Sequence, residues 1–255
     1  MVQWERLKGG AMRIIGRILI FLLLAALVFV GGWQLSKSRD MQVFGDMIKK
    51  VDTEEKVVAL TFDDGPTKNT GRVLEVLEGL DVKATFYLTG REISENMDRA
   101  KAIVQAGHEV GNHTYSHPQM VLKTLSFVEK EVEDTNWLIR EAGYEGPITF
   151  RPPYFKKLLM LPYYLSTQGT LTVLADVEPE TSLGFKASAS DLTQATVEAV
   201  EPGSIILLHV MYDSREEAVK ALPEIVGKLR DRGYRFVTIG ELLEYGSKTD
   251  MNELE

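Results

Sequence analysis

Seven short apolar, β-prone runs recur along the chain, separated by amphipathic stretches, and this alternation constrains the fold more than any other feature. The runs are Val57–Phe62, Ala84–Leu88, Glu109–Asn112, Ile148–Phe150, Leu171–Ala175, Ser204–Leu208 and Tyr234–Val237. Helices are predicted near 71–80, 97–106, 125–142, 157–168, 191–200, 215–232 and 239–245. Ser126 with Glu129, and Thr238 with Glu241, have the spacing of capping boxes; Gly79, Gly107, Gly143 and Gly233 stand where helices should stop. Strands alternating with helices imply a mostly parallel sheet covered by helices, because a parallel neighbour is reached only through a crossover. A barrel and an open α/β sheet both satisfy the pattern, and no sequence repeat chooses between them.

A different kind of sequence precedes the first run. Ile18–Trp33 is uncharged and Leu-rich, and it directly follows Arg6, Lys8, Arg13 and Arg17, which are opposed only by Glu5. Its 16 residues fall short of the roughly 20 that cross a bilayer, but Ile14 to Arg17 extend it, with Arg17 snorkelling to the headgroups. Basic residues ahead of the segment place the N-terminus inside and the remainder outside. The chain is therefore divided into a basic cytoplasmic segment at 1–17, a transmembrane anchor at 18–33, a stalk at 34–55, one globular domain at 56–246 and a polar, disordered tail at 247–255. A cleaved signal segment, with a poor small-residue site at Gly31 and Gly32, is the alternative, and would make the domain secreted.

The net charge is −8, so beyond the basic segment the chain carries about −11, which argues against a nucleic-acid partner. No protein partner is legible. There is no cysteine, which excludes disulfides, thiolate ligands and a Cys nucleophile, and suits an oxidising compartment.

In parallel α/β folds the loops after the carboxyl ends of the strands converge on one face. Asp63 and Asp64 follow the first run, His113 the third, Arg151 the fourth and Asp176 the fifth, while His209 ends the sixth. Each alone has a plain structural reading. Asp63-Asp64-Gly65-Pro66 is a good turn sequence, and His209 ending an apolar run suits a satisfied core histidine. His113 and His117, at i, i+4, suit two imidazoles facing one ion from a helical turn, or two surface residues. Their joint position at one rim favours chemistry.

Thr61-Phe62-Asp63-Asp64-Gly65-Pro66, His113-x3-His117-Pro118, Arg151-Pro152-Pro153-Tyr154, Asp176 and Leu207-Leu208-His209 together resemble the five ordered motifs of the NodB-type polysaccharide deacetylases, carbohydrate esterase family 4. The resemblance runs from about Lys56 to Leu243. It implies a distorted (β/α) barrel of seven to eight mostly parallel strands, here preceded by one transmembrane helix. It also implies removal of N-acetyl groups, with release of acetate, from a cell-surface polysaccharide of peptidoglycan- or chitin-like units. Asp64, His113 and His117 would then hold a divalent metal, zinc first, with cobalt or nickel as alternatives. Two neutral imidazoles and one carboxylate leave an open position on such an ion, as hydrolytic zinc requires. Asp63 would be the base, His209 the acid with Asp176 holding its imidazolium, and Arg151 would orient Asp63. The Tyr154 backbone N–H would stabilise the oxyanion, and Leu207 would line the acetyl-methyl slot.

The family usually places a tryptophan a few residues beyond the fourth-motif aspartate, whereas here Asp176-Val177-Glu178-Pro179-Glu180 has no aromatic, and Phe155 stands where glycine is common. Glu178 and Glu180 near the rim would disfavour strongly anionic substrates. His108 precedes a strand and so lies at the wrong end for the rim; it is read as structural. Two other functions fit the same rim: a catalytically retired glycan-binding protein, and a metal amidase or esterase for a small molecule.

Overall fold

The computed structural model describes residues 2–252, with side chains placed for 16–246. In chain order the elements are α1 (Val2–Ser36), β1 (Met47–Ile48), β2 (Val57–Asp63), α2 (Thr70–Gly79), β3 (Thr85–Leu88), α3 (Gly90–Glu95), α4 (Met97–Gln105) and β4 (Glu109–Asn112). There follow α5 (Leu125–Glu141), α6 (Met160–Thr167), β5 (Thr172–Val173), α7 (Pro179–Leu183), α8 (Ala189–Ala199), β6 (Ile205–His209), α9 (Glu216–Asp231), β7 (Arg235–Val237) and α10 (Ile239–Asn252).

β2 is central. It pairs in parallel with β3, β6 and β7, and β3 pairs in parallel with β4. Single parallel bridges continue from Asn112 to Phe150, from Phe150 to Thr172, and from Val177 to Ile206. The pairing thus travels round from β4 back towards β6, through irregular joints rather than one continuous ladder. The α/β class and the parallel sense match expectation. The run Ile148–Phe150 forms no strand, however, because its neighbours meet it only at Phe150.

Period-two alternation sorts β2 into two faces. Val58, Leu60 and Phe62 pack with Ile206, Leu208, Phe86 and Leu88 beneath the helices, in a core shared with Leu222, Ile225 and Leu229 of α9. Val57 and Ala59 point the other way, into a smaller cluster with Val173, Leu174, Ile205, Leu207 and Val237. Thr61 and Asp63 continue that inner face, which is how a carboxylate arrives among these buried residues.

Thr238 and Glu241 cap α10 reciprocally, each backbone N–H bonded to the other's side chain at 2.8 and 3.3 Å. For α5 the cap is Thr124 rather than Ser126, its hydroxyl accepting from Phe127 N at 3.3 Å. α10 runs on through residues 247–252, expected as disordered tail; 253–255 lie outside the described residues.

Residues 36–51, within the stretch 34–55 expected as a stalk, are built into the domain. Ser36 O accepts from Lys157 N at 2.8 Å, β1 pairs with β5, and Val51 is buried with its N–H on Gly203 O at 3.0 Å. Polar composition suggested a tether; the backbone instead supplies a sheet edge. Ahead of it Gly16–Ser36 is a helix of 21 residues long and apolar enough to cross a membrane, with none of its hydrophobic window buried.

Gly203 is the tightest point of this attachment. Its φ is +79°, and a Cβ there would lie 1.9 Å from the Val51 carbonyl oxygen. Gly203→Ala is predicted to cost more than about 1 kcal/mol, read in a thermal melt as a fall of at least ~2–4 °C. An unchanged melting temperature would mean that 47–51 does not pack as described.

Candidate active site

The site is assembled from strand ends around one buried cation. Arg151 is 0% exposed, its guanidinium 4.0 Å from the centre of the Tyr87 ring. Nη1 donates to Thr61 Oγ1 and to Asp63 Oδ1, both at 2.8 Å. Nε donates to Val173 O at 3.2 Å and Nη2 to Leu174 O at 3.0 Å. Burial alone would raise the Asp63 carboxyl, but Arg151 above all, with His209, overcomes it and holds it below the usual carboxylate range. Asp63 is therefore an ionised group fixed in orientation.

Asp64, next along, is turned elsewhere by a left-handed backbone, φ 71°. Its Oδ1 lies 3.5 Å from His117 Nε2. Burial pushes this carboxyl up, partly offset by His117. The turn is pinned where Glu92 accepts from Gly65 N at 2.7 Å and from Thr89 Oγ1 at 2.8 Å.

His113 and His117 meet through a loop, not the helical turn expected from their spacing. Thr114 and His117 both have positive φ, 67° and 56°. Side chains hold that path: Asn112 Oδ1 accepts from Thr114 N at 2.7 Å, Thr114 Oγ1 from His117 N at 3.1 Å, and Glu131 accepts from Ser116 N and Oγ at 2.8 and 2.6 Å. His113 Nδ1 lies 2.7 Å from Arg151 O; a carbonyl only accepts, so Nδ1 carries the proton and Nε2 keeps its lone pair. Burial drives the His113 pKa down to about 3, so the ring is neutral.

One ligand atom each from Asp64, His113 and His117 lie within 4.8 Å of one another. Two imidazoles and a carboxylate converging, one of them neutral and oriented from behind, fit a divalent cation, and the oriented ring is the support such ligands need. The described residues thus bring together the three positions predicted as ligands, with Asp63 beside them and 3.6 Å from His113 Nε2.

His209 faces the same space, but Asp176 does not hold it. Asp176 Oδ2 accepts from Ser204 Oγ and Oδ1 from Ile205 N, both at 2.7 Å, at the opposite end of β6. The carboxylate on His209 is Glu180, whose Oε2 lies 2.7 Å from His209 N and 2.8 Å from Nδ1. The chain runs beside β6 past Val177 before α7 begins, so the acid that reaches the rim lies four residues beyond Asp176. Burial opposes charge on His209, yet the Glu180 hydrogen bond and the Asp63 carboxylate prevail and raise its pKa.

Asp63, Asp64, His113, His117 and His209 line one cleft of about 430 Å³, together with Tyr154, Leu207, Phe155 and Phe185. Tyr154 is 59% exposed with its ring edge-on to His117 at 4.8 Å, while Leu207 is buried beneath. Arg39, Phe185 and Arg215 line the cleft without having been legible as site residues. Arg39 reaches in from the supposed stalk, donating to Glu178 at 3.1 Å and lying 3.9 Å over Phe155, the departure from glycine noted above. Phe185 stands edge-on to His209 at 5.4 Å, an aromatic wall beyond the fourth motif where none was legible, and Arg215 lies over it. Glu178 and Glu180 both have cationic partners, so they do not make the rim acidic as expected. His108 is structural: its Nδ1 accepts from Ala84 N at 3.1 Å, and burial lowers its pKa to about 4.

A family model described as polysaccharide deacetylase matches residues 50–165. A peptidoglycan-N-acetylglucosamine deacetylase of Bacillus cereus is 30% identical over 81% of this chain and 97% of that protein. A bifunctional xylanase/deacetylase of Pseudobutyrivibrio xylanivorans is 34% identical over 74% of this chain, which spans only 31% of that longer protein. The crystal structure of the Bc1960 peptidoglycan N-acetylglucosamine deacetylase superposes with a TM-score of 0.73 at 30% identity, covering 78% of this chain and 92% of that one. With Asp63, Asp64, His113, His117 and His209 gathered in one cleft and the Bacillus cereus relative matched over 97% of its length, the chain belongs to the polysaccharide deacetylase family.

Proposed function

We infer that the protein is a metal-dependent N-deacetylase acting on a cell-wall polysaccharide of peptidoglycan- or chitin-like units, releasing acetate and leaving a free amine on the sugar. The observation that carries this reading is the separation of the adjacent carboxylates: Asp63 clamped by Arg151, Asp64 turned to His117.

Asp64, His113 and His117 would hold the cation, zinc by donor set, with cobalt or nickel fitting the same donors. When bound, it would polarise the acetamide carbonyl and acidify a water molecule. Asp63, ionised and oriented, takes the proton from that water as its oxygen bonds to the carbonyl carbon. The Tyr154 backbone N–H supports the developing oxyanion, and Leu207 lines the methyl slot. The C–N bond then breaks as His209 gives its proton to the departing nitrogen, an amine being a poor leaving group otherwise. Glu180 keeps His209 protonated and oriented for that step.

Gly16–Ser36 would serve as a single-pass anchor. At 1.5 Å per residue it is roughly 31 Å long, the thickness of a bilayer's apolar core. Basic residues before it would leave the catalytic domain outside the cytoplasm.

Two outcomes test the chemistry. Full-length protein in detergent should release acetate from N-acetylglucosamine oligomers or purified peptidoglycan, and chelator should stop it. Asp63→Asn should lower kcat by about 10²-fold or more while still binding metal, and full activity in that variant would remove Asp63 as the base. The pH profile tests the acid. A carboxylate beside an imidazolium stabilises the charged ring, so activity should fall on the alkaline side above the ordinary histidine value of about 6.5. Glu180→Gln should move that limb to lower pH, and Asp176→Asn should leave it in place. The reverse pattern would restore Asp176 as the partner of His209.

A further inference from the structure

Each charged side chain around the cleft has a side-chain partner, with one exception. Asp63 is paired with Arg151, Asp64 faces His117, Glu178 holds Arg39, and Glu180 holds His209. Arg215 also lines the cleft, and among the described residues no acceptor or carboxylate bonds its guanidinium. Its Nε is shut off from solvent without a hydrogen-bond partner. Its guanidinium carbon lies over Phe185, 3.4 Å from the ring centre, and Phe185 in turn packs edge-on against His209.

This cation is placed rather than loose. Arg215 ends the short turn Asp213–Arg215 that follows β6, and its N–H bonds Tyr212 O at 2.8 Å. Asp213 pegs that turn to the start of α2 through Lys68 at 2.6 Å and Asn69 at 3.0 Å. A guanidinium stacked by its face on an aromatic ring keeps its donor edge for a planar anion, and a carboxylate matches that fork with two parallel hydrogen bonds.

We propose that Arg215, stacked on Phe185 beside His209, binds a carboxylate on the acetylated sugar or its neighbour, so that the preferred substrate is an acidic N-acetylated glycan. This rests on the deacetylase reading and narrows its substrate class. The position is specific: the carboxylate sits on the His209 side of the cleft, where the amine departs. Sugars can carry such a group as an ether-linked acid or as a uronic acid, and both present the same fork to arginine. The arrangement also answers the missing fourth-motif aromatic, since the wall that Phe185 supplies doubles as the arginine's support.

The test compares binding and turnover of the full-length protein on three probes. These are a neutral N-acetylglucosamine tetramer, peptidoglycan glycan strands stripped of peptide so that the lactyl carboxylates are free, and an alternating glucuronate–N-acetylglucosamine tetramer. Metal-free protein should bind at least one acidic probe about tenfold or more tighter than the neutral tetramer, with the preference shrinking at high salt. The acidic probe that binds tighter identifies the source. Arg215→Ala should remove the preference and Arg215→Lys should keep part of it. In turnover, Arg215→Ala should raise KM for that acidic polymer by a similar factor while changing kcat far less. Equal binding of neutral and acidic probes by the wild type, or equal weakening of all three in Arg215→Ala, would overturn the proposal. Wild-type protein that releases acetate from none of the polymers would overturn the deacetylase reading instead, while the binding comparison still decides the carboxylate site.

Discussion

A single buried guanidinium organises this molecule. Arg151 bonds Thr61 and Asp63 on β2, takes the carbonyls of Val173 and Leu174 at β5, and stacks on Tyr87 of β3. Sequence pairing between these elements is thin, since Phe150 bridges its neighbours by one residue on each side. The arginine adds side-chain bonds across these elements to the few backbone ones that join residues 149–151 to their neighbours. Taking such a charge out of water is expensive, and it is tolerated because Asp63 neutralises it and four of its donor contacts are met. Breaking a buried pair of this kind by removing one partner commonly costs about 3–5 kcal/mol. The geometry of the ring and the charge state of the site therefore share one cause.

From that clamp the division between neighbouring carboxylates follows. Asp63 continues the inner face of β2 and meets Arg151, whereas the left-handed turn at Asp64 sends its carboxylate to the histidines. Positive φ recurs at Thr114, His117, Tyr154 and Phe155, all in or beside the cleft. Such backbone costs about 1–3 kcal/mol per residue and persists only where surrounding hydrogen bonds enforce it, as Asn112, Thr114 and Glu131 do around the histidine loop. Strain concentrated at one rim and relieved by its own side chains is the mark of positioning for chemistry.

Much of this was legible because strand ends are. Val57–Phe62, Glu109–Asn112 and Ser204–Leu208 read as strands, and the residues after them are the ones that meet. The losses have physical reasons. Asp176 follows the apolar run Leu171–Ala175 and so reads as a rim residue, but the chain continues extended past Val177, which carries Glu180 to His209 and leaves Asp176 at the far end of β6. The i, i+4 histidines suggested a helical turn because spacing cannot register left-handed backbone at Thr114 and His117. Arg39 and Arg215 were invisible as site residues: one comes from a polar segment that looked like a tether, the other from a turn whose docking on α2 depends on contacts distant in sequence. Pairing of Glu178 and Glu180 with Arg39 and His209 likewise offsets the acidity that their sequence position suggests.

The central claim is that Asp64, His113 and His117 converge on one divalent cation while Arg151 holds Asp63 apart from it. X-ray absorption on the zinc-loaded protein measures this directly. The account predicts one ion per chain with two imidazole nitrogens at about 2.0–2.1 Å and oxygen donors at about 2.0–2.2 Å, with one imidazole lost in His117→Ala and no change in the imidazole shell of Asp63→Asn. A spectrum with fewer than two imidazoles, or one from which Asp63→Asn but not Asp64→Asn removes an oxygen ligand, would contradict it.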